Sequence, residues 1–238
     1  MFLPQDTQRQ TITDLSIDVD SCEKFMITDD SFKNKKLYGK ITEPHSTFAV
    51  RISGTAEAGL DIFEEYTDYP FDAILLKAQT DLTKPGEKLM QYHKELGLHG
   101  LESAYDKALY IMRTLPDVFS YNPGSTEIHE TAENAFTLGK GVCQDYAHIM
   151  LSLLRMEHIP ARYVVGMMLG EGSSHAWVEA LCNGYWYGFD PTNNKLVNDE
   201  YIRVSCGRDS SDCSIIRGSF YGYGVQKQSE SVTVEEIN

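Results

Sequence analysis

The alternation of apolar and polar positions changes character near residue 100, and that change divides the chain. Before it, residues 15–19 (LSIDV) alternate with a period of two, residues 47–54 do so less cleanly, and residues 61–66 repeat the tendency. Turn formers separate these runs: Asp29 and Asp30, Pro44, Gly54, Gly59, Pro70, and Pro85 with Gly86. The pattern predicts an antiparallel sheet of short strands, and nothing in it suggests chemistry.

From Gly100 the period lengthens to that of a helix. Leu101, Ala104, Tyr105, Ala108, Leu109 and Met112 share one face, and Pro116 is expected to follow the helix. Beyond a loop of turn residues, Thr131 opens a short helix through residue 138, stopped by Gly139 and Gly141. A second long helix is expected from Cys143 to His158, with Ala147, Met150, Leu151 and Leu154 on its apolar face and Pro160 ending it. Residues 162–169, 175–182 and 185–189 read as strands, and residues 231–234 add a late one. Asn183 and Gly184 lie between two of these runs, the strongest short signal for a hairpin.

That hairpin has a chemical consequence. A two-residue turn pairs Cys182 with Tyr185 and sets Asp190 opposite Trp177, with His175 two residues along on the same face. Diagonal neighbours of this kind lie roughly 7–8 Å apart at the backbone, within reach of a His–Asp side-chain contact. A carboxylate on one ring nitrogen fixes the tautomer and leaves the other nitrogen facing a nucleophile. Cys143 is the candidate nucleophile. It sits where a glycine-rich turn meets a helix start, and the backbone N–H groups and dipole there favour thiolate. Position alone leaves a buried inert cysteine equally open, and local pattern does not bring Cys143 to the pair.

Composition narrows the setting. The chain has 238 residues, with 35 Asp and Glu against 21 Lys and Arg, a net charge of −14. That field argues against nucleic acid or an anionic membrane as partner. No apolar run approaches the ~20 residues of a membrane helix. The first ten residues have neither a basic start nor an apolar run, so no signal peptide is expected. Five cysteines without CxxC spacing argue against a disulfide framework or a four-ligand zinc site and fit a reducing cytoplasm. His148, His129 and His158, Trp177 and Trp186, and Cys182, Cys206 and Cys213 read as packing or surface residues. Arg208, Asp209 and Arg217 read as ion pairs bracing a loop.

Four motifs carry a resemblance: GVCQDYAH (141–148), IPARYVVG (159–166), SHAWVE (174–179) and FDPTN (189–193). In order and spacing they resemble the bacterial transglutaminase-like family of cysteine proteases from about residue 100 to Gly222, with GRD (207–209) and RGSFYG (217–222) similar to its downstream segments. The resemblance implies an α+β fold: a papain-like core at 96–238, its Cys-bearing helix packed on an antiparallel sheet, behind a β-rich N-terminal domain at 1–95. It implies Cys143 as nucleophile, His175 as base and later acid, and Asp190 as orienter, with no metal or organic cofactor. Animal transglutaminases place an oxyanion-stabilising tryptophan well before the cysteine, whereas the tryptophans here are Trp177 and Trp186. The second oxyanion donor is expected from Tyr121, or else Gln144, beside the Cys143 N–H. The expected activity is hydrolysis of a peptide or small amide through an acyl-enzyme. Protein-glutamine transamidation, or a non-catalytic binding module that keeps the fold, are the alternatives. A redox role is disfavoured by the lack of a second cysteine near Cys143.

Overall fold

The computed structural model describes residues 1–20, 24–59, 63–67, 70–126, 129–222 and 227–237, without the side chains of 70–72. The N-terminal part contributes β1 (Gln10–Val19), β2 (Phe25–Asp29), β3 (Lys35–Gly39), β4 (Val50–Ala58) and β5 (Phe63–Glu65). Then come α1 (Pro70–Leu75), α2 (Glu87–Leu96), α3 (Ala104–Val118), β6 (Ser120–Tyr121), α4 (Ala132–Leu138), β7 (Lys140–Gly141) and α5 (Cys143–Met156). The rest is β8 (Ala161–Met168), β9 (Gly170–Gly172), β10 (His175–Cys182), β11 (Tyr185–Asp190), β12 (Lys195–Leu196), β13 (Tyr201–Gly207), α6 (Ser210–Cys213) and β14 (Val232–Val234).

The central sheet is antiparallel in the order β12-β11-β10-β8-β13, and β5 also pairs with β11. Period-two alternation gives it two buried faces. Tyr163, Val165, Ala176, Val178, Ala180 and Phe189 point toward α3 and α5 and join one large apolar core with Ile111, Leu115, Ala147, Leu151 and Leu154. Val164, Trp177, Tyr201 and Cys206 form a second cluster on the opposite face. Burial on both faces explains why β8 reads as a continuous apolar run rather than a clean alternation.

The N-terminal part is not the single antiparallel sheet that its pattern predicts. β1 pairs with β4, β2 pairs with β3, and the two pairs belong to separate sheets. Glu65 to Phe63 lie opposite Tyr185 to Tyr187 in the central sheet, and residues 61–62 of the expected third run fall outside the described residues. The position between residues 95 and 96 falls inside α2, whose Leu89 and Tyr92 pack in the main core. That helix is held from a distance: Glu133 accepts the N–H groups of Gly86, Lys88 and Leu89 at 2.8, 2.8 and 3.1 Å, satisfying the open donors of its first turn.

Two helix ends also differ from the sequence pattern. Pro116 lies within α3, which runs on to Val118. A proline this late sacrifices only the bond to Met112, and Phe119 still donates to the Leu115 carbonyl at 2.9 Å. α5 ends at Met156, two residues early, where His158 takes a positive φ of 57° ahead of Pro160. Thr131 caps α4 as expected, accepting the Asn134 N–H at 3.2 Å, and Gly139 closes it at φ 72°.

Candidate functional site

The site assembles at one end of the central sheet, where β10 begins and β11 ends. The Asn183–Gly184 turn has φ of 52° and 87° at its two residues, the positive values a two-residue hairpin turn requires. It sets Cys182 opposite Tyr185 and, at the far end, Val178 opposite Phe189. His175 and Asp190 thereby share a face, and the His175 Nε2 hydrogen bonds to Asp190 Oδ2 at 2.8 Å. With Asp190 ionised the proton is on Nε2, which leaves Nδ1 for Cys143, to which the His175 side chain is also hydrogen-bonded.

Cys143 opens α5, and the segment before it is fixed by short-range chemistry. Asp145 Oδ2 reaches back to the Val142 N–H at 2.8 Å and accepts from Thr126 Oγ1 at 2.7 Å. A Cβ on Gly141 would collide with that carboxylate, so glycine is required there. β6 pairs in parallel with β7, setting Tyr121 beside Gly141 in register, and Asn122 donates to the Gly141 carbonyl at 2.8 Å. Tyr121 is 56% exposed, and its pKa is raised first by burial and second by the nearness of Cys143. Gln144 follows Cys143 in the first turn and is half-buried.

Asp190 is wholly buried, and every lone-pair direction of its carboxylate is occupied. Oδ1 accepts the N–H groups of Thr192 and Asn193 at 3.0 and 3.2 Å. Oδ2 accepts from His175 and, at 2.7 Å each, from Asn193 Nδ2 and the Tyr201 hydroxyl. Burial pushes the Asp190 pKa up, but these donors and the charge on His175 outweigh it and hold the group below its usual range. Tyr201 and Asn193 were not singled out by sequence. Asn193 lies within the FDPTN motif, three residues from Asp190, but Tyr201 arrives on β13, a strand that no clear alternation announces.

The His175 imidazole is packed as well as bonded. Trp177 lies parallel to it at 6.4 Å between ring centres, and Tyr201 is tilted against it at 6.2 Å. Burial lowers its pKa. The bonds to Asp190 and Cys143 raise it by more, and the net value is about 9.

Other candidates fall where packing puts them. His148 is buried, accepts the Ser210 N–H at 3.2 Å, and is pushed by burial down to about 4. His129 and His158 are exposed, and Trp177 and Trp186 are buried. Cys182, Cys206 and Cys213 are free and buried, with pKa values raised by burial, while Cys22 lies outside the described residues. Arg208 pairs with Asp212 at 2.7 Å rather than with Asp209, which instead caps α6 through the Ser211 N–H. Arg217 donates to the Ser211 carbonyl at 2.6 Å. Among the described residues no group of three or more His, Cys, Asp or Glu is placed to hold a metal ion, and no helix is long and apolar enough to cross a membrane.

A cysteine at a helix start, bonded to a histidine on an adjoining antiparallel sheet, defines the papain-like class of α+β folds. Residues 94–191 match the family model of the transglutaminase-like superfamily. Among solved structures, a putative cysteine protease from Cytophaga hutchinsonii superposes with a TM-score of 0.71 over 96% of this chain and 88% of that one, at 21% identity, a likeness of fold. An uncharacterized protein of Mycobacterium leprae (strain TN) is 40% identical over 114 residues, and one of Mycobacterium tuberculosis (strain H37Rv) is 34% identical over 119. The chain spans about two-fifths of the length of these relatives: 40% and 38%.

Proposed function

We propose that the protein is a transglutaminase-like cysteine hydrolase acting on a peptide or related amide, with Cys143, His175 and Asp190 as its triad. The observation that carries this reading is a single imidazole bonded at once to a helix-start thiol and to a buried carboxylate. Cys143 Sγ attacks the amide carbonyl, and the Cys143 N–H, which opens the helix, faces the developing oxyanion. Tyr121 is the favoured second donor and Gln144 the other candidate. As the tetrahedral adduct collapses, the C–N bond breaks and His175 Nδ1 gives its proton to the departing amine. Water then attacks the thioester and yields its proton to Nδ1, which releases the acid and restores Cys143. Asp190 stays ionised throughout and holds the Nε2 tautomer. The same reading treats the N-terminal strands as a separate β-rich unit whose β5 has been recruited into the catalytic sheet.

Hydrolysis is favoured over transfer because no upstream tryptophan is present to build a closed amine tunnel, and Tyr121, its proposed stand-in, is largely exposed. The deciding experiment supplies a glutamine-containing or other cleavable amide together with a millimolar primary amine and analyses the products by mass spectrometry. Mostly free acid is expected. A product mixture dominated by the amine adduct would replace the hydrolase reading with a transamidase.

The His175 value sets a pH profile. Its pKa is raised above the ordinary value to about 9, so the ring loses its second proton as pH rises through that value. kcat/KM is expected to fall on the alkaline side with a midpoint near pH 9, a property of the coupled Cys143–His175 pair. A rate still climbing at pH 10 would mean that a protonated His175 is not needed.

A further inference from the structure

β9 is built almost wholly of main chain. Gly170 and Gly172 flank Glu171, a Cβ added at either glycine would meet nothing within 4 Å, and all three residues are exposed. One edge of this ribbon is taken by β14 in antiparallel register, with Val232 opposite Gly172, Thr233 opposite Glu171 and Val234 opposite Gly170. Two residues before β14, Glu230 Oε1 accepts the Ser174 N–H at 2.7 Å. Ser174 immediately precedes His175. An extended stretch of chain therefore lies along the rim that leads to the catalytic imidazole, held by a three-residue ladder, one side-chain hydrogen bond and contact of β14 with β8. So short a ladder, with β9 exposed and the β14 valines only half-buried, opens at little cost.

We propose that this edge of β9 is the docking rail for an extended peptide, and that residues 230–234 occupy it in the resting chain. The inference rests on the amide-hydrolase reading for its purpose, but it concerns how a peptide is held rather than what Cys143 does to it. Adding a strand to a sheet edge supplies main-chain hydrogen bonds that any sequence can make. A peptide taking the place of β14 would run antiparallel to β9, and its N-terminal continuation would pass Ser174 toward His175. The chain's own segment is thus a competitor in cis, and it sets how much of the rail is free.

The test uses full-length variants and a fluorescein-labelled peptide, KQSESVTVEEI, the sequence of residues 227–237. Val232→Pro together with Thr233→Pro removes at least one ladder donor, because consecutive strand residues alternate in facing the partner. Glu171→Pro damages the rail itself. The double-proline protein is expected to bind the peptide at least tenfold more tightly than wild type, and Glu171→Pro to show no binding. On an unstructured quenched peptide, kcat/KM is expected to rise at least threefold in the double-proline protein and to fall in Glu171→Pro. Iodoacetamide labelling of Cys143, which needs no rail, is expected to be unchanged in all three. Equal peptide binding by wild type and the double-proline protein, or binding by neither, overturns the proposal. Binding in the expected order without cleavage by any form upholds the rail and overturns the hydrolase reading instead.

Discussion

Asp190→Asn is expected to lower turnover about ten-thousand-fold while the protein remains folded. The reason lies in the donors around the carboxylate. Oδ1 faces two backbone N–H groups, and Oδ2 faces His175 Nε2, Asn193 Nδ2 and the Tyr201 hydroxyl. An asparagine has one oxygen to offer, so one of the two sets must meet an NH2. If the NH2 turns toward His175, Nε2 becomes an acceptor, and the ring proton moves to the nitrogen that should receive from Cys143. If it turns the other way, it opposes two amides at a fully buried position. Steady-state kinetics on any cleaved amide, with circular dichroism as the control for folding, measures the effect. A folded Asp190→Asn with undiminished turnover would remove Asp190 from the site.

Arg162→Ala is expected to cost about 3–5 kcal/mol of stability. Arg162 contacts Glu179 at 2.6 Å and Glu64 at 3.3 Å, and its guanidinium lies 4.5 Å from the centre of the Trp186 ring. Glu179 is buried. Burial pushes its pKa up, but Arg162, Arg203 and Arg9 together bring it down to about 2. Without Arg162 that carboxylate keeps Arg203 at 3.3 Å, while Arg203 is already engaged with Glu64 at 2.9 Å. The sign of the pH dependence follows from the depressed value. The Glu179 contribution is present above about pH 4.3 and fades as pH falls through about 2. Urea titrations should therefore show the largest gap between wild type and Arg162→Ala at neutral pH, narrowing in acid. A gap under about 1 kcal/mol at pH 7 would mean that the remaining ion pairs close around the lost residue.

The parts of this molecule that were legible in the sequence are those specified locally. Asn183–Gly184 announced the hairpin and its register, from which the His175–Asp190 contact followed, and the apolar spacing from Ala147 to Leu154 announced α5. The motifs supplied the approach of Cys143 to His175, which no local periodicity contains. What stayed hidden depends on partners distant in sequence. β13 pairs with β8 across some forty residues, with a register shift between Arg203 and Ser205 that blurs its alternation, so Tyr201 could not be connected to Asp190 in advance. α2 carries its apolar residues at helical spacing, but its first turn is capped by Glu133 from α4, a signal absent from its own segment. The N-terminal strands were visible one by one, yet their separation into two pairs and the recruitment of β5 by β11 are decided by tertiary contacts.

The turn at residues 183–184 also makes the site sensitive to chain length in a way its residue types do not reveal. Side chains on β11 alternate between the helix-facing core, which holds Phe189, and the face that holds Asp190. One residue inserted after Gly184 would exchange those assignments along the whole strand, burying Asp190 among the helices and swinging Phe189 toward His175. Two inserted residues would restore the parity while displacing the carboxylate along the strand by one repeat. A related chain can therefore carry the cysteine, the histidine and the aspartate, each within its proper motif, and still be unable to bring them together. The spacing between SHAWVE and FDPTN is as much a part of the candidate active site as the residues inside them.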